Sequence, residues 1–133
     1  MKKKKNKPAL SDAQLEIMGI VWELGEASVA DVWRELSSRR KVARNTVQTT
    51  LVRLEEKGFL THRVVGNAFR YQAVQEKQTT VRGLLRSLLN GAFQGSTEGL
   101  LMALLEEAPP SEEEIKRIRK TLNQLPKKKN KER

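Results

Sequence analysis

The stretch that most restricts the fold is residues 43–58, ARNTVQTTLVRLEEKG, followed at once by FLTHRVVGNAFRYQA. Val47, Leu51 and Leu54 recur at i, i+4 and i+7, the spacing of one apolar stripe on a helix. At about 100° per residue, Asn45, Thr49 and Val52 point away from that stripe, with Thr46, Gln48 and Arg53 beside them. Such a helix has one face for a core and another for a polar partner. After Gly58, two short runs around Gly66-Asn67 predict a strand, a tight turn and a strand, carrying Arg63 and Arg70. A two-faced helix followed by a basic hairpin is the layout of a winged helix-turn-helix. Its outward side chains, short and hydrogen-bonding with arginine alongside, suit base-pair edges in a major groove.

The preceding residues supply the rest of such a head. Ser11-Asp12-Ala13-Gln14 has the form of a capping box. It opens a helix over about residues 12–24, with Leu15, Ile17, Met18, Val21, Trp22 and Leu24 as its apolar residues and Gly25 as its stop. Ser28 caps a second helix to about Ser38, with Val29, Val32, Trp33 and Leu36 inward, and residues 39–42 form a polar break. Phe59-Leu60 anchors the first strand to the core. Trp22, Trp33, Phe59 and Tyr71 are read as core rather than as ligand platforms.

Charge is distributed in a way that composition alone does not require. Of a formal net charge of +10, nine units lie in two short ends, residues 2–7 and 127–133. These ends are expected to be disordered, either as solubilising tails or as non-specific phosphate contacts. In the body, residues 8–38 carry −5, residues 39–70 carry +6, and residues 71–126 balance. The basic band therefore coincides with the two-faced helix and the hairpin, which favours a nucleic-acid partner. Within that band Glu56 shares the outward ridge with Asn45 and Thr49, so only the N-terminal half of the helix is expected to enter a groove. Val52 is then at most an apolar contact, such as to a thymine methyl.

Beyond Gln75 the composition shifts to leucine. A helix over about residues 76–90 carries Val81, Leu84, Leu85, Leu88 and Leu89, and one over about 97–107 carries Leu100, Leu101, Met102, Leu104 and Leu105. Pro109-Pro110 breaks the chain, and Ser111 caps a last helix with Ile115, Ile118, Leu122 and Leu125 on one stripe. Glu112, Glu113 and Glu114 in its first turn complement the helix dipole and need no metal. Three short helices this rich in leucine cannot bury it within about fifty residues. Pairing with a second copy is the expected solution, and it supplies the two reading heads that such proteins use.

The motifs LSDAQLEIMGIVWELGEASVADV, NTVQTTLVRLEEKG and GNAFRY, in this order and ahead of a leucine-rich helical tail, resemble the penicillinase-repressor family of bacterial transcriptional regulators (BlaI/MecI/CopY type). The resemblance runs from Leu10 to about Leu125. It implies a mainly α fold with a small β-hairpin. Residues 10–74 would be the winged-helix DNA-binding domain and residues 75–126 the helical dimerisation region, between basic tails at 1–9 and 127–133. It also implies a homodimer that represses by occupying a two-fold symmetric operator in double-stranded DNA, often with TACA and TGTA half-sites. On matching positions Arg44, Asn45, Thr46, Gln48 and Thr49 would face bases and phosphates, and Arg53 the backbone. Arg63 and Arg70 would touch phosphate or the minor groove. Val81, Leu84, Leu85, Leu88, Leu89, Leu101, Leu104, Leu105, Ile115, Ile118 and Leu122 would form the dimer. Antibiotic-responsive members are inactivated by cleavage of an Asn-Phe bond in the dimerisation helices, a membrane-bound metalloprotease being the partner implied. The nearest alignment puts Ala103-Leu104 there, a departure from that bond. Copper-responsive members carry a cysteine hook, and this chain has no cysteine.

Other classes fit less well. Without cysteine there is no disulfide, thiolate metal site or thiol nucleophile. His62 is the only histidine, so no histidine metal set exists, and it is expected to be solvated or beside phosphate. No glycine-rich phosphate loop or nucleophile elbow is present, so neither an enzyme nor a cofactor is implied. No apolar run approaches the ~18–20 residues of a membrane span. The charged amino terminus lacks the apolar segment of a secretory signal, and a cytoplasmic location is expected. Three alternatives stay open: a MarR-like regulator, a winged-helix protein-interaction module, and a chromatin-like binder driven by the tails. The MarR type usually places dimerisation helices on both sides of the head, whereas here the head is expected to come first.

Overall fold

In the computed structural model residues 9–126 are described. The order is α1 (Asp12–Leu24), α2 (Val29–Ser37), α3 (Arg44–Glu56), β1 (Leu60–Val65), β2 (Ala68–Ala73), α4 (Lys77–Gly91), α5 (Thr97–Glu107) and α6 (Glu112–Gln124). The expectation for the two lysine-rich tails falls outside the described residues, apart from Ala9. The chain divides into two compact units at Gly83/Leu84. The division lies inside α4, so the first turns of that helix belong with the head.

Local chemistry accounts for the elements. Ser11 and Ser28 each close a full capping box, with Gln14 and Asp31 as the reciprocal partners. Gly58 follows α3 at φ +93°, a conformation that other residues adopt only at a cost, and turns the chain into β1. β1 and β2 pair antiparallel from Leu60↔Ala73 to Val65↔Ala68, leaving Gly66-Asn67 as the turn. Beyond the hairpin, Ala27 in the α1–α2 turn makes a two-bond bridge to Tyr71, 2.9 and 2.8 Å long.

The head's core is Ile17, Met18, Ile20 and Val21 from α1, Ala27, Val32 and Leu36 around α2, and Val47, Leu51 and Leu54 from α3. Phe59, Leu60 and Tyr71 complete it. The apolar stripe expected on α3 is therefore its buried face. Of the apolar residues of α1, Leu15 and Leu24 are exposed, whereas Ile20 is buried. A helix apolar on nearly all sides does not reveal from periodicity which side faces inward. Trp22 and Trp33 pack against the core while remaining partly exposed. Each uses its indole N–H as a tie, Trp33 donating to the Val42 carbonyl at 2.9 Å and Trp22 to the Gln75 carbonyl at 3.0 Å.

The second unit is built differently. No residue of α5 or α6 is buried, and the buried residue of α4, Thr80, belongs to the head. Leu84, Leu85, Leu88, Leu101, Leu104, Ile115 and Leu122 are exposed, while Val81, Leu89, Leu105 and Ile118 are half-buried. Among the described residues no helix is long and apolar enough to cross a membrane.

Candidate nucleic-acid interface

With Val47, Leu51 and Leu54 buried, the geometry of α3 turns Arg44, Asn45, Thr46, Gln48, Thr49, Val52 and Arg53 to the exterior, and all are exposed. Thr50 is partly shielded and donates its hydroxyl to the Thr46 carbonyl at 2.8 Å. The Trp33–Val42 bond ties the entry of α3 to α2 and so sets where this face begins.

Two shallow clefts of about 360 Å³ run along either side of α3. One lies between Arg44, Gln48 and Val52, the start of α2 at Ser28–Ala30, and the hairpin at Asn67–Phe69. The other lies between Asn45, Thr49 and Arg53 and the start of α1 at Ser11 and Gln14. Each therefore pairs one arginine of α3 with the N-terminal end of another helix, where the backbone dipole favours an anion. The sequence reading missed this arrangement; its signal was the pair of capping boxes, which place those helix starts.

The basic band separates into engaged and free cations. Arg40 donates to Glu16 at 2.8 Å, and Arg39 lies 3.6 and 3.7 Å from Glu16 and Glu35. The Arg40 hydrogen bond, with Arg39 nearby, holds the Glu16 carboxyl below the usual glutamate range. Lys57 donates to the Ala9 carbonyl and to Gln14 Oε1, fastening the end of α3 to the start of α1. The side chains of Lys41, Arg44 and Arg53 have no ionic or hydrogen-bonding partner among the described residues; Lys41 lies just before α3, and Arg44 and Arg53 line its outward clefts. Lys41 was not singled out from sequence, although it lies in the basic band two residues before the cap of α3.

The hairpin presents its two faces to different neighbours. His62, Phe69 and Tyr71 lie on the face toward α3. His62 Nδ1 sits 2.8 Å from both Glu55 carboxylate oxygens, and its ring stacks on Phe69 with centroids 4.0 Å apart. A carboxylate only accepts, so the imidazole donates through Nδ1. His62 thus joins wing to helix instead of standing in solvent or beside phosphate as expected. Arg63 and Arg70 are cross-strand partners on the other face. Arg63 donates to Glu26 through Nε at 2.6 Å and Nη2 at 3.0 Å. Arg70 donates to Glu26 Oε1 and to its carbonyl at 3.4 Å, and lies 3.8 Å from Asp31. The Arg63 guanidinium holds the Glu26 carboxyl below its ordinary range, and the Ser28 backbone N–H does the same for Asp31. Both wing arginines, expected to touch phosphate or the minor groove, are held by Glu26. That carboxylate lies 37 residues from Arg63 and 44 from Arg70 in the chain.

Comparisons with known proteins bear on this head and on the chain as a whole. The family model described as penicillinase repressor matches residues 10–124. A penicillinase repressor of Bacillus licheniformis is 31% identical over 117 residues, covering 88% of this chain and 91% of that protein. A methicillin resistance regulatory protein, MecI, of Mammaliicoccus sciuri is 26% identical over 114 residues, covering 86% and 93%. Among solved structures, the DNA-binding domain of the repressor BlaI superposes with a TM-score of 0.50 at 35% identity, covering 56% of this chain and 90% of that domain. A mutant MarR from E. coli reaches a TM-score of 0.52 at 14% identity, covering 86% and 76%, a likeness of fold alone.

Proposed function

The chain belongs to the penicillinase repressor family, and from that premise we propose that it is a dimeric repressor that reads a palindromic operator. The observation that carries this reading is the outward face of α3. Asn45, Thr46, Gln48 and Thr49 offer donors and acceptors to base edges, while Arg44 and Arg53 line the clefts on either side, within reach of the flanking phosphates. Asn and Gln suit adenine edges, which accords with the TACA/TGTA half-sites that the resemblance implies. Repression then follows from occupancy, and no bond is made or broken.

The second unit supports the dimer. Its leucines cover no core of their own, and an exposed surface of this kind is a standing association site. Two heads with three free cations each would neutralise about six phosphates, giving log K a slope near −5 against log salt. Relief of repression would occur in α5, at or near Ala103-Leu104, the position that the resemblance implies. Cleavage there by a membrane-bound metalloprotease would disrupt one short helix of the dimer region. The protein would act in the cytoplasm, where the operator is.

Selection of bound sites from random DNA tests the reading. The expected product is an inverted repeat whose half-sites are spaced by about one helical turn or a multiple of it. Enrichment of a single half-site would remove the dimer, and no enrichment would remove the sequence-reading role.

A further inference from the structure

We infer that Glu26 is a specificity-determining residue: it withholds the wing guanidiniums of Arg63 and Arg70 from nucleic-acid phosphate, so that the head meets the backbone through Lys41, Arg44 and Arg53. The inference rests on the DNA-reading function proposed above. Arg63 is bound by two parallel N–H···O contacts of 2.6 and 3.0 Å, the fork geometry in which a guanidinium binds a carboxylate most strongly. Yet 63% of its side chain remains accessible, so without Glu26 it would be available to an anion.

Two features make the arrangement more than a surface ion pair. Arg63 and Arg70 stand directly opposite each other in the hairpin, where like charges repel, and Glu26 is shared between them. The backbone beside Glu26 is also fixed, because Ala27 exchanges two hydrogen bonds with Tyr71 of β2. The carboxylate therefore stays with the wing. The turn of the wing, Val65 to Ala68, contains no cation, and the exposed residues on the face toward α3 are Val64 and Phe69.

The consequence concerns the balance between right and wrong DNA. In a complex with α3 in the groove, Arg63 lies on the hairpin face turned toward the α1–α2 turn. A non-specific complex has no such fixed orientation and can use any accessible cation, since its affinity is almost wholly electrostatic. Neutralising Arg63 with Glu26 therefore lowers binding to arbitrary sequence more than binding to the operator.

The test uses the full chain, a random-sequence duplex and a duplex selected by this protein. Glu26→Gln should release Arg63 alone, since Arg70 keeps Asp31 at 3.8 Å, and should steepen the non-specific salt slope by about 2 for a dimer, one phosphate per protomer at about 0.9 each. Non-specific affinity near 0.1 M salt should rise on the order of tenfold, with operator affinity changed less. Adding Arg63→Ala to Glu26→Gln should restore the wild-type slope. An unchanged slope in folded Glu26→Gln overturns the inference. Arg63→Ala alone, which keeps Glu26, decides the matter if Glu26→Gln does not fold: an unchanged non-specific slope supports the withheld cation, and a flatter one overturns it. A wild-type chain that binds neither duplex would instead overturn the DNA-reading function, and this inference with it.

Discussion

Between Asp12 and Ala73 the apolar side chains of three helices and a hairpin converge on one core; from Leu84 onward no described leucine is buried. The contrast shows where each region obtains its stability. The head holds its own, through nine fully buried large side chains such as Met18, Leu51 and Tyr71, and through ties such as Trp33–Val42 and Lys57–Gln14. The second unit has short capped helices but no interior, and helices of this length are marginal in water without packing. In the proposed dimer, the surface that orders it is supplied by a second copy of the chain.

The largest effect should come from separating the two regions. A chain ending at Gly83 should still fold as a monomeric head. It should bind a full operator about 10²–10⁴-fold more weakly than the intact protein, through lost avidity; equal affinity in a gel-shift titration would end the division of labour drawn here. Next, core deletions should behave differently in the two regions. Leu51→Ala should cost the head about 2–5 kcal/mol, read by denaturant titration and independent of protein concentration. Leu104→Ala should leave that head transition in place and instead weaken dimerisation, read by sedimentation. The same loss of stability from both would erase the contrast.

Smaller effects lie within the head. Thr49→Ala and Gln48→Ala should each weaken operator binding by about 1–3 kcal/mol and barely alter non-specific binding; a footprint unmoved by both would remove these side chains from the reading face. Smallest is a dependence on acid. Glu16, Glu26 and Asp31 are held below their ordinary values of 4.5, 4.5 and 3.8 by arginines and by the Ser28 N–H. Carboxyls depressed in the folded state stabilise it fully above their unfolded pKa, and that contribution is lost as pH falls through the folded pKa. The head's melting temperature should therefore fall below about pH 4.5, with a weaker dependence in Glu16→Gln. A dependence identical to wild type in that variant would show that the Arg40 pair contributes nothing to folding.

Much of this head was legible in the sequence, for physical reasons that differ by element. The stripe Val47–Leu51–Leu54 could belong only to a helix with one buried face, and the exposure of Asn45, Thr46, Gln48 and Thr49 followed from it. Ser11, Ser28, Gly58 and the Gly66-Asn67 turn marked boundaries because local hydrogen bonding and backbone strain act over a few residues. What the sequence did not show is long-range ionic pairing. Counting charges placed +6 around α3, but it could not tell that Glu16 takes Arg40, that Glu55 takes His62, or that Glu26 takes Arg63. Those partners lie 24, 7 and 37 residues apart and meet only once the core has formed. The functional charge of the band is thus smaller than its formal charge.

The bridge from Ala27 to Tyr71 has a consequence of another kind. A two-stranded hairpin with exposed Val64, Val65 and Phe69 offers an open, apolar β-edge, the kind of template on which strange strands assemble. Ala27 occupies the outer edge of β2 at its middle, satisfying the Tyr71 N–H and carbonyl that an incoming strand would need. A repressor must wait on DNA in a crowded cell with its wing extended. This single residue closes the β2 side of that wing to an incoming strand at Tyr71.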